Sequence, residues 1–128
     1  MANSTDSLVP PRFIHLKTLG GQLCATIAYT PTNTQHDNSV HYGIAIVSSK
    51  EKPYNISYRT ARAIASSRCR NAIKGNNIKW QTYTSRNSSN QNKLVAFISN
   101  TSLGKLGTIS WEHFIVIVNA FKKEVQKV

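Results

Sequence analysis

The stretch RFIHLKTLGGQLCATIAYTP, Arg12–Pro31, decides the fold, because it predicts two strands joined by a tight turn. Its first part alternates apolar and polar side chains from Ile14 to Lys17, and this period of two is typical of a strand with one buried face. Its second part has apolar side chains at every other position, at Leu23, Ala25, Ile27 and Tyr29. Gly20 and Gly21 stand between the two parts, where a hairpin needs its turn. The stretch therefore predicts an antiparallel β-hairpin.

Downstream of the hairpin, the sequence predicts a third strand and then a helix. In VHYGIAIVSS, apolar residues again occupy every other position, at Val40, Tyr42, Ile44 and Ile46. In NISYRTARAIASSRCRNAIKG, Asn55–Gly75, residues at spacings of three and four share one helical face, namely Tyr58, Ala61, Ala65, Cys69 and Ala72. We expect Asn55 to cap this helix and Gly75 to end it. Because most residues on this face are small, we expect the helix to lie close against a sheet.

The second half of the chain repeats this order without clear sequence identity. Alternation and apolar runs predict strands in IKWQTYTS (78–85), KLVAFIS (93–99) and KLGTIS (105–110). The end of the chain predicts a helix that begins after Ser110 and has an apolar face formed by Phe114, Ile117, Val118, Phe121 and Val125. The β-branched run Ile115–Val118 also fits a strand. The helix is favoured because Glu112 at its start and lysines at its end complement the helix dipole.

These elements predict an α+β protein with antiparallel sheets and two helices, in the order β-β-β-α-β-β-β-α. We expect residues 1–11, a polar segment that ends in a proline pair, to form a flexible arm, and residues 12–128 to form a single domain. No apolar run approaches the roughly 20 residues that cross a bilayer, so we expect no membrane partner.

The chain is strongly basic. It has 16 Lys and Arg residues, 5 Asp and Glu residues, a formal net charge of +11 and 40% hydrophobic residues, a share typical of a globular domain. Most of the excess lies between Lys50 and Lys93, where ten basic residues stand against one carboxylate, Glu51. A positive surface on a folded domain raises the local concentration of polyanions. The composition therefore favours nucleic acid as the partner, with an acidic protein as the alternative.

Three arginines on the first predicted helix are candidates for phosphate contacts. At about 100° per residue, Arg59, Arg62 and Arg70 lie within about 80° of each other, whereas Arg68 lies well away. An ordinary solvated helix face would also explain them. No carboxylate stands four residues away to pair with them, however, and this favours binding of a polyanion.

The predicted strand at 78–85 adds a candidate for base stacking. Tyr83 shares a face with Lys79 and is expected to be exposed, while Trp80, on the other face, is expected in the core. The complete set of predicted nucleic-acid-binding residues is Lys50, Lys52, Arg59, Arg62, Arg70, Lys74, Lys79, Tyr83 and Arg86.

No motif in the sequence indicates an enzyme. His36, Asp37 and His41 lie close together, with Cys24 upstream, but their spacing matches no metal-ligand or catalytic motif. We therefore expect no catalytic residue, no metal and no cofactor. Cys24 and Cys69 alone form no disulfide framework, and the first residues lack the features of a signal peptide. We expect free thiols in an intracellular protein that is cytoplasmic or nucleoid-associated.

The last predicted strand and helix resemble the Whirly proteins, single-stranded-DNA-binding transcription regulators. That family ends in Thr-x-x-Glu-Phe-x-Val-Ile-x-x-Ala-Phe, and this chain has matching residues at Ser110, Phe114, Val116, Ile117, Ala120 and Phe121. His113 stands at the position of the family's Glu, and the family's Lys-Gly-Lys-Ala motif is not found in the chain. The resemblance implies curved antiparallel sheets crossed by helices, binding of single strands along the sheet and assembly into a homo-oligomer.

The leading hypothesis is a non-enzymatic nucleic-acid-binding protein that prefers single-stranded DNA or RNA and uses a basic helix and an adjacent strand. The alternative is a small viral or plasmid-type interaction protein that docks its basic face on an acidic host protein and inhibits it. A nuclease is the third hypothesis, and it would require cleavage that depends on a divalent metal.

Overall fold

The computed structural model describes residues 10–21, 23–31, 38–46, 58–74, 93–94, 96–98, 100–101 and 108–127. Its elements in chain order are β1 (Arg12–Lys17), β2 (Leu23–Pro31), β3 (Ser39–Ile46), α1 (Tyr58–Ile73), β4 (Thr108–Ser110) and α2 (Trp111–Gln126). The strands form one antiparallel sheet in the order β1-β2-β3-β4. The α+β class expected from the sequence is confirmed.

The predicted hairpin forms β1 and β2. Ile14 lies opposite Ile27, and the neighbouring pairs follow in register as far as a bulge before Lys17. The backbone N–H of Gly21 donates to the carbonyl oxygen of Thr18 at 2.9 Å and closes the turn. Gly21 has a φ of 90°, a left-handed conformation that glycine adopts without steric cost. Of the two glycines, Gly21 therefore provides the backbone conformation that the turn requires.

One face of the sheet carries the large apolar side chains, and we call it the large-residue face. Its buried members are Leu16, Ala25, Ile27, Val40, Tyr42, Ile44, Ile46 and Ile109. α2 packs on this face, with the ring of Phe114 at 5.8 Å from that of Tyr42 and 5.5 Å from that of Tyr29. The predicted helical face is confirmed, because its five apolar residues from Phe114 to Val125 are all buried.

The start of α2 follows the predicted capping. The hydroxyl oxygen of Ser110 accepts a hydrogen bond from the backbone N–H of His113 at 3.3 Å, which satisfies one of the free amides in the first turn. The β-branched run Ile115–Val118 is helical. Capping and tertiary burial thus outweigh the modest preference of β-branched residues for strands.

The opposite face of the sheet carries small side chains, and we call it the small-residue face. Ala28 and Ala45 pack there against Ala65 and Cys69 of α1. A Cβ atom on Gly43 would fall on the backbone of α1, at Ala65, Arg68 and Cys69. The expected close approach of the first helix to a sheet is confirmed. Because successive strand residues point to opposite faces, α1 and α2 cover opposite sides of the sheet.

The strand predicted at 93–99 is wrong, because residues 93–94 and 96–98 are helical. Leu94 and Ile98 are both buried in the core of the large-residue face. The ring of Phe97 stacks on that of Phe121 at a centroid distance of 5.9 Å. The buried side chains therefore follow helical spacing, which a short apolar run does not distinguish from a strand. The described order is strand-strand-strand-helix, then this short helical segment, then strand-helix.

Other predictions lie outside the described residues. They are the strand at 78–85, the cap Asn55, the stop signal Gly75 and the first nine residues of the expected arm. Within the described part of the chain, no helix has the length and apolar character needed to cross a membrane.

Candidate nucleic-acid interface

Four of the nine predicted binding residues lie in the described part of the chain. Arg59, Arg62 and Arg70 are on α1, and Lys74 follows it, with its backbone N–H donating to the carbonyl oxygen of Arg70 at 3.0 Å. Arg59, Arg70 and Lys74 are exposed, and Arg62 is partly buried. The other five, Lys50, Lys52, Lys79, Tyr83 and Arg86, lie outside the described residues.

Arg62 is partly buried because its side chain lies over the ring of Phe13 on β1. Its guanidinium carbon is 5.9 Å from the centre of the Phe13 ring on β1. One helical turn earlier, the ring of Tyr58 meets the ring of His15 edge-on at a centroid distance of 4.8 Å. The ammonium nitrogen of Lys17 lies 5.2 Å from the centre of the Tyr58 ring. α1 packs on β3 and β2, and the side chains of its first turns therefore reach β1, with the two elements running in opposite directions.

These contacts define the β1–α1 surface, which consists of Phe13, His15, Lys17, Tyr58 and Arg62. The three β1 residues occupy alternate positions and so share one face of the strand. The rings of Phe13 and His15 are nearly parallel, at an interplanar angle of 13° and a centroid distance of 6.3 Å. Aromatic rings and cations thus alternate over the outermost strand of the described sheet.

The β1–α1 surface carries basic side chains. The surface contains two cations, Lys17 and Arg62. Arg59 and Arg70 add further positive charge along α1. Among the described residues, the carboxylates are those of Glu112 and Glu124, and both belong to α2 on the other side of the sheet. No described carboxylate therefore belongs to the elements that form this surface.

The surroundings of His15 lower the pKa of its imidazole. Burial and the neighbouring charges of Arg62 and Lys17 hold the pKa of the imidazole below its ordinary value of 6.5. The Nδ1 atom lies 2.9 Å from the hydroxyl oxygen of Thr26, which is fully buried on the neighbouring strand. The ring is therefore held in position, and its surroundings disfavour the charged form, which a nearby anion would favour.

Arg68 has a different environment from the other arginines of α1. It is partly buried, and its guanidinium donates to the carbonyl oxygen of Ile44 at 2.6 Å. β4 pairs only with Ser39–His41, so β3 continues past the end of its described partner there. Arg68 supplies a hydrogen-bond donor to this part of β3. This structural role agrees with the sequence prediction, which does not include Arg68 among the phosphate contacts.

Sequence reasoning missed four members of the surface. The alternation on β1 predicts His15 and Lys17 on the face opposite Ile14 and Leu16, without a function, and assigns no role to Phe13. Tyr58 is predicted on the packing face of α1. The alternation of the β1 residues was visible in the sequence. Their proximity to α1 was not visible, because the two elements are more than forty residues apart and meet only through tertiary packing.

Of the histidines considered for an enzyme, His41 lies in the described part of the chain. His41 is hydrogen-bonded through Nδ1 to the hydroxyl oxygen of Thr108 at 2.7 Å, across β3 and β4. The thiol of Cys69 donates to the carbonyl oxygen of His41 at 3.6 Å. Within the ranges that the structure describes, no three His, Cys, Asp or Glu side chains group as metal ligands would. His36 and Asp37 lie outside those ranges.

The described geometry suits a ligand that offers both negative charge and flat rings. Arginine and lysine bind phosphate oxygens, and the release of counterions favours the complex. Stacking of a base on an aromatic side chain contributes about 1–3 kcal/mol, compared with about 0.5–1 kcal/mol for a cation over a ring at an exposed site.

In comparisons with known proteins, no family model matches the chain, no curated protein matches it and no solved structure matches it. The similarity to Whirly proteins therefore stays a prediction that rests on the residues given above.

Proposed function

We propose that this protein is a non-enzymatic nucleic-acid-binding protein that prefers single strands and binds them along the side formed by β1 and α1. The observation that carries this proposal is the segregation of charge. Lys17, Arg59, Arg62 and Arg70 lie on β1 and α1, while the described carboxylates lie on α2, across the sheet. A charge pattern that served solubility alone would mix both signs on each side.

The arginines of α1 are spaced along the helix so that they can contact successive phosphates of an extended nucleic-acid backbone. Arg59 and Arg70 are eleven residues apart, a distance of roughly 16 Å along the helix axis at 1.5 Å per residue. Arg62, between them, connects this row to Lys17 and the rings of β1. A polyanion that follows α1 therefore meets several cations in succession, which is the arrangement that gives affinity through counterion release.

The test is the salt dependence of binding. Fluorescence anisotropy with a labelled single-stranded oligonucleotide should show an affinity that falls linearly with the logarithm of salt concentration. The double variant Arg59→Gln/Arg70→Gln removes two phosphate contacts. We expect it to reduce the slope by about 1.4, since each contact to a single strand contributes about 0.7.

The matched control is Lys122→Gln/Lys123→Gln, which removes the same charge from exposed positions of α2. We expect this variant to bind nearly as tightly as the parent protein, with an unchanged slope. Equal losses in both double variants would show only a nonspecific effect of net charge and would contradict the proposed interface. Absence of binding at low salt would contradict the proposed function altogether.

The alternative partner, an acidic protein that the basic face inhibits, predicts a different result. A pull-down from a lysate treated with nuclease should retain an acidic protein partner and lose any protein that is bridged by nucleic acid. Retention of one acidic protein, with no oligonucleotide binding in the anisotropy experiment, would favour this alternative.

Further parts of the proposal concern the cellular setting. Both thiols of the chain, Cys24 and Cys69, are free, which fits a reducing compartment. We place the protein in the cytoplasm or on the nucleoid, where fractionation followed by nuclease release would detect it. A role in transcription and assembly into a homo-oligomer come from the resemblance to Whirly proteins, and light scattering with and without oligonucleotide tests the assembly.

A further inference from the structure

We infer that the rings of Phe13, His15 and Tyr58 form a platform for unpaired bases, and that a base binds by replacing Arg62 or Lys17 over a ring. This inference rests on the proposed function and names the part of the nucleic acid that this surface recognises. It assigns the phosphates to the displaced cations and the bases to the rings.

The first step of the argument is the position of the rings. Phe13 and His15 are partly exposed on alternate positions of β1, and Tyr58 is 36% exposed at the start of α1. The nearly parallel rings of Phe13 and His15 follow the strand at a centroid distance of 6.3 Å. Side chains at alternate strand positions are separated by about 6.6 Å, so an extended strand of nucleic acid can place bases along the same row.

The second step is the fixed geometry of the row. The hydrogen bond between His15 and Thr26, at 2.9 Å, and the edge-on contact with Tyr58, at 4.8 Å, hold the imidazole between two elements. Phe13 packs against the buried cluster between the small-residue face and α1. Rings that are held in this way lose little conformational entropy when a ligand binds.

The third step is the presence of cations over the rings. Arg62 lies over Phe13 at 5.9 Å, and Lys17 lies over Tyr58 at 5.2 Å. An incoming base offers each ring a stronger contact than a partly solvated cation does. Both cations are on long side chains and reach the phosphate next to the stacked base without movement of the backbone. The net positive charge near the row also makes an anionic strand the complementary ligand.

The fourth step gives the preference for single strands. In a duplex, the flat faces of the bases are already stacked on each other, and only the phosphates are accessible to a flat protein surface. The arginines of α1 contact phosphates of either form, whereas the rings contact only unpaired bases. The β1–α1 surface therefore determines the single-strand preference, and the exposed arginines determine the general affinity.

The experiment compares two polyanions that differ in the presence of bases. Binding of an oligothymidylate and of inorganic polyphosphate of similar charge is measured at the same salt concentration, for the parent protein and for Phe13→Leu and Tyr58→Leu. Leucine keeps an apolar side chain at each position and removes the ring. We expect about tenfold weaker binding of the oligothymidylate by each variant, and binding of polyphosphate within about twofold of the parent.

Trp111→Leu is the matched control, because Trp111 is an aromatic residue of similar exposure, 38%, at the start of α2 on the other side of the sheet. It should leave both affinities unchanged. Circular dichroism of each variant shows whether the fold is kept. If Phe13→Leu alone loses the fold, Tyr58→Leu carries the comparison, because Tyr58 is the more exposed residue of the two.

A second readout follows the exchange itself. In proton NMR spectra, oligothymidylate should move the ring resonances of Phe13 and Tyr58 to higher field through stacking, and polyphosphate should not produce that shift. Equal losses of affinity for both ligands, or no upfield shift with the oligothymidylate, would overturn the base platform while leaving phosphate binding intact. Failure to bind either ligand would instead overturn the proposed function.

Discussion

Two arginines of α1 that are separated by one residue have different tasks. Arg68 is partly buried and donates to the carbonyl oxygen of Ile44 on β3 at 2.6 Å, whereas Arg70 is exposed. A helix turns by about 100° per residue, so residues two apart point in nearly opposite directions. Identical side chains thus serve the fold in one position and are available to a ligand in the other.

The contrast predicts opposite outcomes for the two truncations. Arg68→Ala leaves a partly buried carbonyl without its charged donor, and we expect it to lower the free energy of unfolding by about 1–2 kcal/mol. Arg70→Ala should change the free energy of unfolding by less than about 0.5 kcal/mol. Urea denaturation of both variants checks this, and equal stability of the two would show that the Arg68 contact contributes nothing.

His15 predicts a pH dependence of stability. Its pKa in the folded protein lies below 6.5 because of burial first and then because of Arg62 and Lys17; Tyr58 and Thr26 complete its surroundings. The unfolded chain therefore binds more protons as the pH falls below 6.5, and stability is lost as the pH falls through the folded pKa.

The measurement is urea denaturation across the acidic range for the parent protein and for His15→Gln, which removes the titrating group. We expect a flatter pH profile for His15→Gln than for the parent protein. His113→Gln, at an exposed position on α2, is the control and should keep the parent profile. A parent-like profile for His15→Gln would contradict the assignment.

At the scale of elements, Gly43 determines how α1 docks. Any side chain there would meet backbone atoms of Ala65, Arg68 and Cys69, which cannot move aside as a flexible side chain can. We expect Gly43→Ala to destabilise the protein by about 3 kcal/mol, at the upper end of the usual effect of overpacking. Thermal denaturation followed by circular dichroism measures it.

Gly20→Ala is the matched control for that substitution. The nearest atom to an added Cβ at Gly20 is the hydroxyl oxygen of Thr18, at an ordinary contact distance of 3.8 Å. We expect a change in the free energy of unfolding of less than about 1 kcal/mol. If both glycine variants were equally stable, the docking of α1 would not depend on contact between backbones.

The same elements show which parts of the fold are predictable. The hairpin, the cap at Ser110 and the apolar faces apart from Tyr58 follow from patterns within about ten residues, and the sequence predicts them correctly. The apolar residues at 93–98 are contiguous, and this pattern predicts a strand. Which of these residues are buried depends on packing against Phe121, which the local sequence does not reveal. The β1–α1 surface could not be predicted, because no local pattern determines which strand the side chains of α1 reach.

At the scale of the molecule, the chain carries a formal net charge of +11. Among the described residues there is one ion pair, between Lys127 and Glu124 at 2.9 Å on the surface of α2. Such an exposed pair contributes little, whereas repulsion among many like charges opposes the compact state. The folded protein therefore carries an electrostatic cost that a polyanion or salt would reduce.

This cost predicts that the melting temperature rises when sodium chloride is increased from about 0.01 M to about 0.1 M, where the screening length falls from about 30 Å to about 10 Å. Lys122→Glu/Lys123→Glu moves the net charge towards neutrality and should show a smaller rise. Differential scanning fluorimetry measures both. A melting temperature that falls with added salt would mean that attractive ion pairs outweigh the repulsion.

The burial of Cys69 has a consequence for kinetics. Burial raises the pKa of this thiol to about 11, and the Arg70 charge offsets only part of that rise, so the thiolate that reacts with maleimides is scarce while α1 is docked. In a Cys24→Ser background, the labelling rate of Cys69 reports how often the helix separates from Gly43 and its neighbours. A bound oligonucleotide that contacts both α1 and β1 would lower the labelling rate of Cys69, and a ligand that contacts α1 alone would not.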